Sequence, residues 1–268
     1  MTDRFTGERV VPDERGTFEE EIIYQRHLAA YRFARENLPK GSRVLDVGCG
    51  EAYGTALLSA GGSWVAGADV DPAVLRRARR RWPSVAAFVL FDGRSIPACD
   101  SSFDALVCFQ VVEHVEDDAR AAAELARVLR TDGLALVTTP NRLLRLSPGE
   151  RPWNRFHVRE YDPDALGQLL GRFFRQVRIA GIDASEAVRR FELARLRRVR
   201  RVVRLDPLGL RHRLPERVNR GARRLLRRLL ASRERPAEDG PPSAAAASFE
   251  VRPDRPEDAL DLLAVCRR

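Results

Sequence analysis

The stretch SRVLDVGCGEAYGTALLSA, residues 42–60, constrains this chain more than any other, because it reads as a strand, a glycine turn and a helix in immediate succession. Residues 44–47 are an apolar run interrupted only by Asp46, Gly48-Cys49-Gly50 forms the turn, and a helix is expected to open near Ala52. Such a turn lets a ligand approach the backbone and turns the helix N-terminus toward it. A phosphate-binding loop would need GK[ST] at the helix start, which is absent. A dinucleotide fingerprint would need glycine where Tyr53 stands; Gly54 comes one residue late. A lone GxG is otherwise only a tight turn, but Asp69 lies 19 residues beyond Gly50 at the tip of the next apolar run. A carboxylate there can accept hydrogen bonds from both hydroxyls of a ribose. Asp71, just before Pro72, is placed to cap the following helix, which leaves Asp69 for a ligand.

The rest of the chain repeats the alternation. Residues 18–38 predict a helix ahead of the first strand, 64–68 a second strand, 85–91 a third, 105–109 a fourth, 117–129 a helix and 134–138 a fifth strand. Residues 162–173 predict a helix, 174–182 a sixth strand, and 260–266 a last one. Short apolar strands alternating with helices imply an α/β fold with a mostly parallel, Rossmann-like sheet covered on both faces. The expected organisation is an N-terminal helical segment (1–42), a main domain built from 43–183 and 249–268, and an Arg-rich helical insertion (184–248) placed to cap the substrate mouth.

The formal charge of +9 is local. Between Ser185 and Arg235 there are 18 arginines against five acidic residues, so the remainder of the chain is net acidic. Only Phe191 in that segment can stack on a base, which argues against nucleic-acid binding. Val218, Ala222, Leu225, Leu226 and Leu229 form an apolar stripe opposite Arg220, Arg223, Arg224, Arg227 and Arg228. Such a helix suits packing over the domain, or peripheral contact with an anionic membrane. The four cysteines form no CxxC pair and suggest neither a disulfide framework nor structural zinc. The charged start and the lack of a long apolar run predict a cytoplasmic protein.

Five motifs in fixed order give the chain a family resemblance: VLDVGCG (44–50), VAGADVDP (65–72), the pair Asp92-Gly93, SSFDALVCFQVVEHVEDD (101–118) and ELARVLRTDGLALVTTPN (124–141). Together they resemble the class I S-adenosylmethionine-dependent methyltransferases. The resemblance implies a seven-stranded sheet with its last strand antiparallel, and S-adenosyl-L-methionine as cofactor. It places Asp46 and the loop Gly48, Cys49 and Gly50 around the methionine end, Asp69 and Val70 at the ribose, Asp92 and Gly93 at the adenine, and Gln110 along the cleft. The Cys49 thiol is read as structural, since methyl transfer needs no thiol nucleophile. Ala52 departs from the third glycine that many relatives carry.

TGERVVPDE (6–14), GCGEAYGTALLSA (48–60), TTPNR (138–142) and NRFHVREYDPDAL (154–166) narrow the resemblance to bacterial methyltransferases of glycan and polysaccharide biosynthesis, and at its narrowest to those acting on the mycofactocin oligosaccharide. The implied acceptor is a glycan hydroxyl, too weakly acidic to react without help in losing its proton. His114 and His157 both follow strands at the carboxyl edge of the sheet, where open α/β sheets bind ligands, and either suits a general base. Both suit loop scaffolding equally. Glu113 beside His114 is a further catalytic candidate, but two adjacent ligands are too few to assert a metal. Rival readings are a quinone, phenol or lipid methyltransferase, an RNA-methylating or RNA-binding protein using the Arg-rich segment, and an inactive cofactor-binding regulator.

Overall fold

The computed structural model describes residues 10–12, 16–204 and 248–268. The stripe from Val218 to Leu229 and most of the expected cap therefore lie outside the described residues. Eight strands form one sheet: β1 (Arg43–Val47), β2 (Trp64–Asp69), β3 (Ala87–Leu90), β4 (Phe103–Phe109), β5 (Leu129–Pro140), β6 (Gln176–Ala184), β7 (Phe249–Arg252) and β8 (Asp261–Arg267). Their order is β3-β2-β1-β4-β5-β8-β6-β7. β1 to β5 pair in parallel, and β8 runs antiparallel between β5 and β6. The α/β Rossmann-like expectation holds. The count of seven strands does not: β7, a four-residue edge strand, pairs antiparallel with β6.

Alternation along the strands sorts side chains onto two faces. Leu45, Val47, Leu106, Cys108, Ala135 and Val137 pack with α4 (Asp118–Val128) and α6 (Pro163–Gly171). Val44, Val65, Ala105, Val107, Leu134 and Leu136 face α1 (Phe18–Asn37) and α2 (Tyr53–Ser59). Covering both faces explains why the strands read as continuous apolar runs instead of alternating ones.

Several helix starts are set by capping side chains, of which the sequence reading named Asp71. Thr17 and Glu20 form a reciprocal capping box on α1. Asp71 accepts from the Ala73 and Val74 amides at the start of α3 (Pro72–Arg81), with Pro72 in the first turn. Asp117 and Asp162 cap α4 and α6, so both helices begin just past the acid that sequence reasoning included in them. The chain leaves β6 into α7 (Glu186–Arg204), whose Val188 is buried with Ile22 of α1 and Leu260. The insertion thus begins beside α1 and the short α5 (Arg142–Arg145), with which α7 is in contact. No helix among the described residues is long and apolar enough to cross a membrane.

Candidate active site

The carboxyl ends of β1, β2, β4 and β5 frame a cleft whose β1–β2 side is built largely from backbone. The Gly48 and Cys49 amides donate to the Ala68 carbonyl at 2.7 and 3.0 Å, tying the loop to the end of β2. The Gly50 amide donates to Asp69 Oδ2 at 2.9 Å, and the Asp71 amide to Asp69 Oδ1 at 3.0 Å. With its amides so engaged, the loop offers a ligand carbonyl oxygens and bare α-carbon surface. Gly48 (φ +77°) has no room for a side chain, because a Cβ would overlap Val111. Gly50 (φ +51°) opens onto free space, the form of a cradle that a side chain would fill. The Cys49 side chain is buried with Ala52, Leu75 and Ala78.

Asp46, on β1, is fully buried beneath this loop. Its carboxylate accepts from Thr55 Oγ1 at 2.6 Å and from the Tyr31 hydroxyl at 3.1 Å, joining β1 to both α2 and α1. Burial pushes its pKa up to about 7, with the charge of Asp69 adding to the shift and the two hydrogen bonds opposing it. Gly54 finds its reason here, since a Cβ on it would overlap the Tyr31 ring.

Asp92 is exposed beyond β3, and its Oδ1 accepts from the Arg94 and Ser95 amides at 2.8 Å. Those amides, Ser95 first, hold its carboxyl below the ordinary range. Val70 is 55% exposed, an apolar face at the tip of β2 close to Gly93. A small crevice is lined by Val47, Phe91, Gly93, Cys108 and Val111, with Arg94 and Glu124 also on its wall. Gln110 adopts φ +57°, a strained backbone conformation for a residue other than glycine. Its Nε2 donates to Asp261 Oδ2 at 3.1 Å, and Arg26 Nε meets the same oxygen at 3.2 Å.

Beyond the end of β4, the adjacent candidates Glu113 and His114 meet His157 from a distant part of the chain. Glu113 is fully buried, and its Oε2 accepts from Thr139 Oγ1 at 3.1 Å. His114 Nδ1 lies 3.0 Å from the Phe156 carbonyl, and His157 Nδ1 lies 2.9 Å from Glu160 Oε1. The two rings meet edge to face at 4.8 Å between centroids. The Glu113 carbonyl also accepts from the Val158 amide at 2.8 Å, clamping the His157 loop to the turn that carries His114. Behind them Arg145 pairs with Glu160 at 3.0 Å and lies 4.3 Å from the Trp153 ring. Trp153 Nε1 is buried with no hydrogen-bond partner among the described residues.

Tyr31, Arg26, Arg145, Glu160, Thr139 and Asp261 are the site residues that sequence reasoning missed. Gln110 and Asp261 are 151 residues apart, so no local pattern joins them. Glu160, three residues beyond His157 within HVRE, was the one partner that spacing could have suggested.

Residues 45–137 match the family model of a methyltransferase domain. The match covers about a third of the chain and lies within the Rossmann-like sheet, so over those residues match and fold agree on a methyltransferase domain, a kind of domain that uses S-adenosyl-L-methionine. The chain is 41% identical over 170 residues to a probable S-adenosylmethionine-dependent methyltransferase of Mycobacterium tuberculosis, covering 62% of this chain and 58% of that one. It is 30% identical over 152 residues to the 2-methyl-6-phytyl-1,4-hydroquinone methyltransferase of Synechocystis, covering 54% and 48%. The chain thus spans about three-fifths of the first relative and about half of the second. Among solved structures, an S-adenosylmethionine-dependent methyltransferase of Thermotoga maritima, described as a possible histamine N-methyltransferase, shares the fold at TM-score 0.55 and 13% identity, covering 92% of this chain and 91% of that one.

Proposed function

We propose that this protein transfers a methyl group from S-adenosyl-L-methionine to a hydroxyl of a glycan or oligosaccharide, the mycofactocin oligosaccharide being the most specific candidate. The observation that carries the reading is the convergence of Glu113, His114 and His157 within 4.8 Å at the carboxyl edge, one turn beyond the Val111 that packs on Gly48. An acceptor that needs no deprotonation has little use for a buried carboxylate with two imidazoles beside the cofactor cleft.

The open cradle at Gly50 and the acid at Asp69 fit the cofactor. Asp69 would accept from the ribose hydroxyls with the lone pairs its two backbone bonds leave over. Loop carbonyls, with the field of Asp46 below, suit the cationic methionine end. Val70 and Val111 would flank the adenine, with Asp92 and Gly93 at its edge and Gln110 along the cleft. The bound cofactor supplies a sulfonium-activated methyl group. The chain then aligns the acceptor oxygen in line with it. His157, oriented by Glu160, or His114, oriented by the Phe156 carbonyl, would take the hydroxyl proton through Nε2 as the carbon–oxygen bond forms. Arg145, Trp153 and the buried Trp153 Nε1 donor suit a sugar face, apolar on the ring and polar at the edge.

A second reading, methylation of a quinol or phenol, draws on the name of the Synechocystis relative. The phenolic hydroxyl also needs a base, though a weaker one. The same protein with labelled S-adenosyl-L-methionine and a panel of oligosaccharides and quinols separates the two. Label in the oligosaccharide alone supports the first reading, and label in the quinol alone replaces it with the second.

A further inference from the structure

We infer that Glu113, His114 and His157 form a binding site for a divalent first-row transition-metal ion. This is the only group of three potential ligand residues so gathered among the described residues: one ligand atom from each lies within 4.8 Å of the other two. Ligand atoms around a single ion bound at about 2.0–2.2 Å sit roughly 3 to 4 Å apart, so the widest pair closes by about 1 Å or a little more on binding. Rotation of a half-buried imidazole such as His114 supplies that movement.

The surroundings fit a metal better than they fit a structural trio. Each Nδ1 faces an oxygen that can only accept, the Phe156 carbonyl for His114 and the Glu160 carboxylate for His157. A neutral ring that donates through Nδ1 carries no proton on Nε2, so Nε2 is the ligand atom of each ring. Glu113 is held in turn by Thr139 through Oε2. All three residues thus have an orienting partner, the outer-shell arrangement that fixes metal ligands and tunes their basicity. Glu160 is itself fixed by Arg145, so the His157 ring is positioned by a carboxylate that cannot readily turn away.

Two imidazoles and one carboxylate select a transition metal over magnesium or calcium, which prefer oxygen alone. Three protein ligands leave coordination positions open, the mark of a catalytic rather than a structural site. Two of the ligands sit side by side in the chain and the third comes from the 154–160 loop, so binding would pin that loop to the end of β4. The open positions would face the acceptor and, by binding its hydroxyl group, promote loss of the proton that an uncoordinated imidazole takes in the metal-free reading. That use rests on the methyl-transfer reading; occupancy of the site does not.

The test uses the full chain, stripped with chelator, then titrated with Co²⁺ as probe in the absence of cofactor and acceptor. Uptake is followed by visible absorption and by metal content after dialysis. One ion per chain is expected, with zinc competing for it. The His114→Ala/His157→Ala double variant should lose that uptake while keeping its circular dichroism. Should the double variant fail to fold, Glu160→Gln keeps both ligands, and it should weaken the metal affinity about 10- to 100-fold. Wild-type protein that retains no stoichiometric cobalt overturns the site. So does uptake unchanged in the folded double variant, or in Glu160→Gln when the double variant does not fold. Binding of S-adenosyl-L-methionine to the same stripped protein is measured separately, so failure of the metal site and failure of the methyltransferase reading are told apart.

Discussion

The two halves of the cleft are built by different means. The side proposed for the cofactor, from β1 to the end of β4, is made of turns and strand ends whose parts lie close in sequence: Gly50 and Asp69 are 19 residues apart and meet through one backbone bond. The side proposed for the acceptor is made of buried side chains drawn from α1, the end of β4, the 142–160 segment, α7 and β8. Arg26 meets Asp261, Arg145 meets Glu160, and Glu192 lies in the field of Arg195, Arg26 and Arg145. Burial pushes Glu192 upward, yet those arginines hold its carboxyl below the ordinary value. A backbone cradle tolerates change in side chains and serves one ligand. A side-chain constellation can be altered residue by residue, which is where acceptor specificity has room to diverge.

The sharpest way to break this comparison is at His157. If proton removal is divided from cofactor binding as the geometry divides them, His157→Ala should lower turnover by about 10² to 10⁴ with a verified acceptor. Cofactor affinity, read by calorimetry, should stay near the wild-type value. A parallel loss of cofactor binding would merge the two halves.

The next effect is one of pH and belongs to Asp46. Its folded pKa of about 7 lies above the unfolded value near 4, so between those limits the folded state holds a proton that the unfolded state has released. Its contribution therefore falls as pH rises from about 4 to 7, by at most on the order of 4 kcal/mol. Asp104, Asp118 and Glu124 are shifted the opposite way, so the total curve mixes both signs. Denaturation of the wild type and of Asp46→Asn across that range isolates the term: the wild type's stability relative to the variant should fall steadily as pH rises from about 4 to 7. A flat difference would refute it.

A smaller loss is expected at the ribose position. Asp69→Ala should weaken S-adenosyl-L-methionine binding by roughly 1.5 to 3 kcal/mol, the range for hydrogen bonds to a charged group, and leave the acceptor KM unaltered. Unchanged affinity in the folded variant would remove Asp69 from the cofactor side. The smallest change tests Ala52, which caps α2 at φ 58° in the left-handed region. Ala52→Gly relieves about 1 kcal/mol of backbone strain, but it gives up a buried methyl and adds unfolded-state freedom of similar size. Its thermal unfolding should shift by less than about 1 kcal/mol, with no change in cofactor affinity.

The same division marks what the sequence made legible. Strand ends, caps and the glycine loop are local, so Asp71, Pro72, Gly48, Gly50 and Asp69 could be placed from spacing and turn chemistry alone. His114 and His157 were also legible as residues at the carboxyl edge, because each follows a predicted strand. Their meeting was not, since it depends on the fold of the 142–160 segment, where apolar periodicity is weak. Arg26 was hidden for a different reason: a charged residue in α1 reads as solvated until the burial of Asp261 is known. β7 escaped because four half-exposed residues after a low-complexity stretch give no apolar run to detect.

The position of β8 carries a consequence for how the molecule is made. Asp261–Arg267 lie between β5 and β6, which leave the ribosome well before them. A nascent chain that has emitted β1 to β6 therefore presents two unpaired edges facing the same gap, one on each side. Until the C-terminal strand is supplied, Gln110 and Arg26 also lack Asp261, and the back wall of the cleft is open. Closure of the sheet and completion of the site are a single event that waits on β8, and during that interval the exposed edges are the surfaces that a folding chaperone would have to shield.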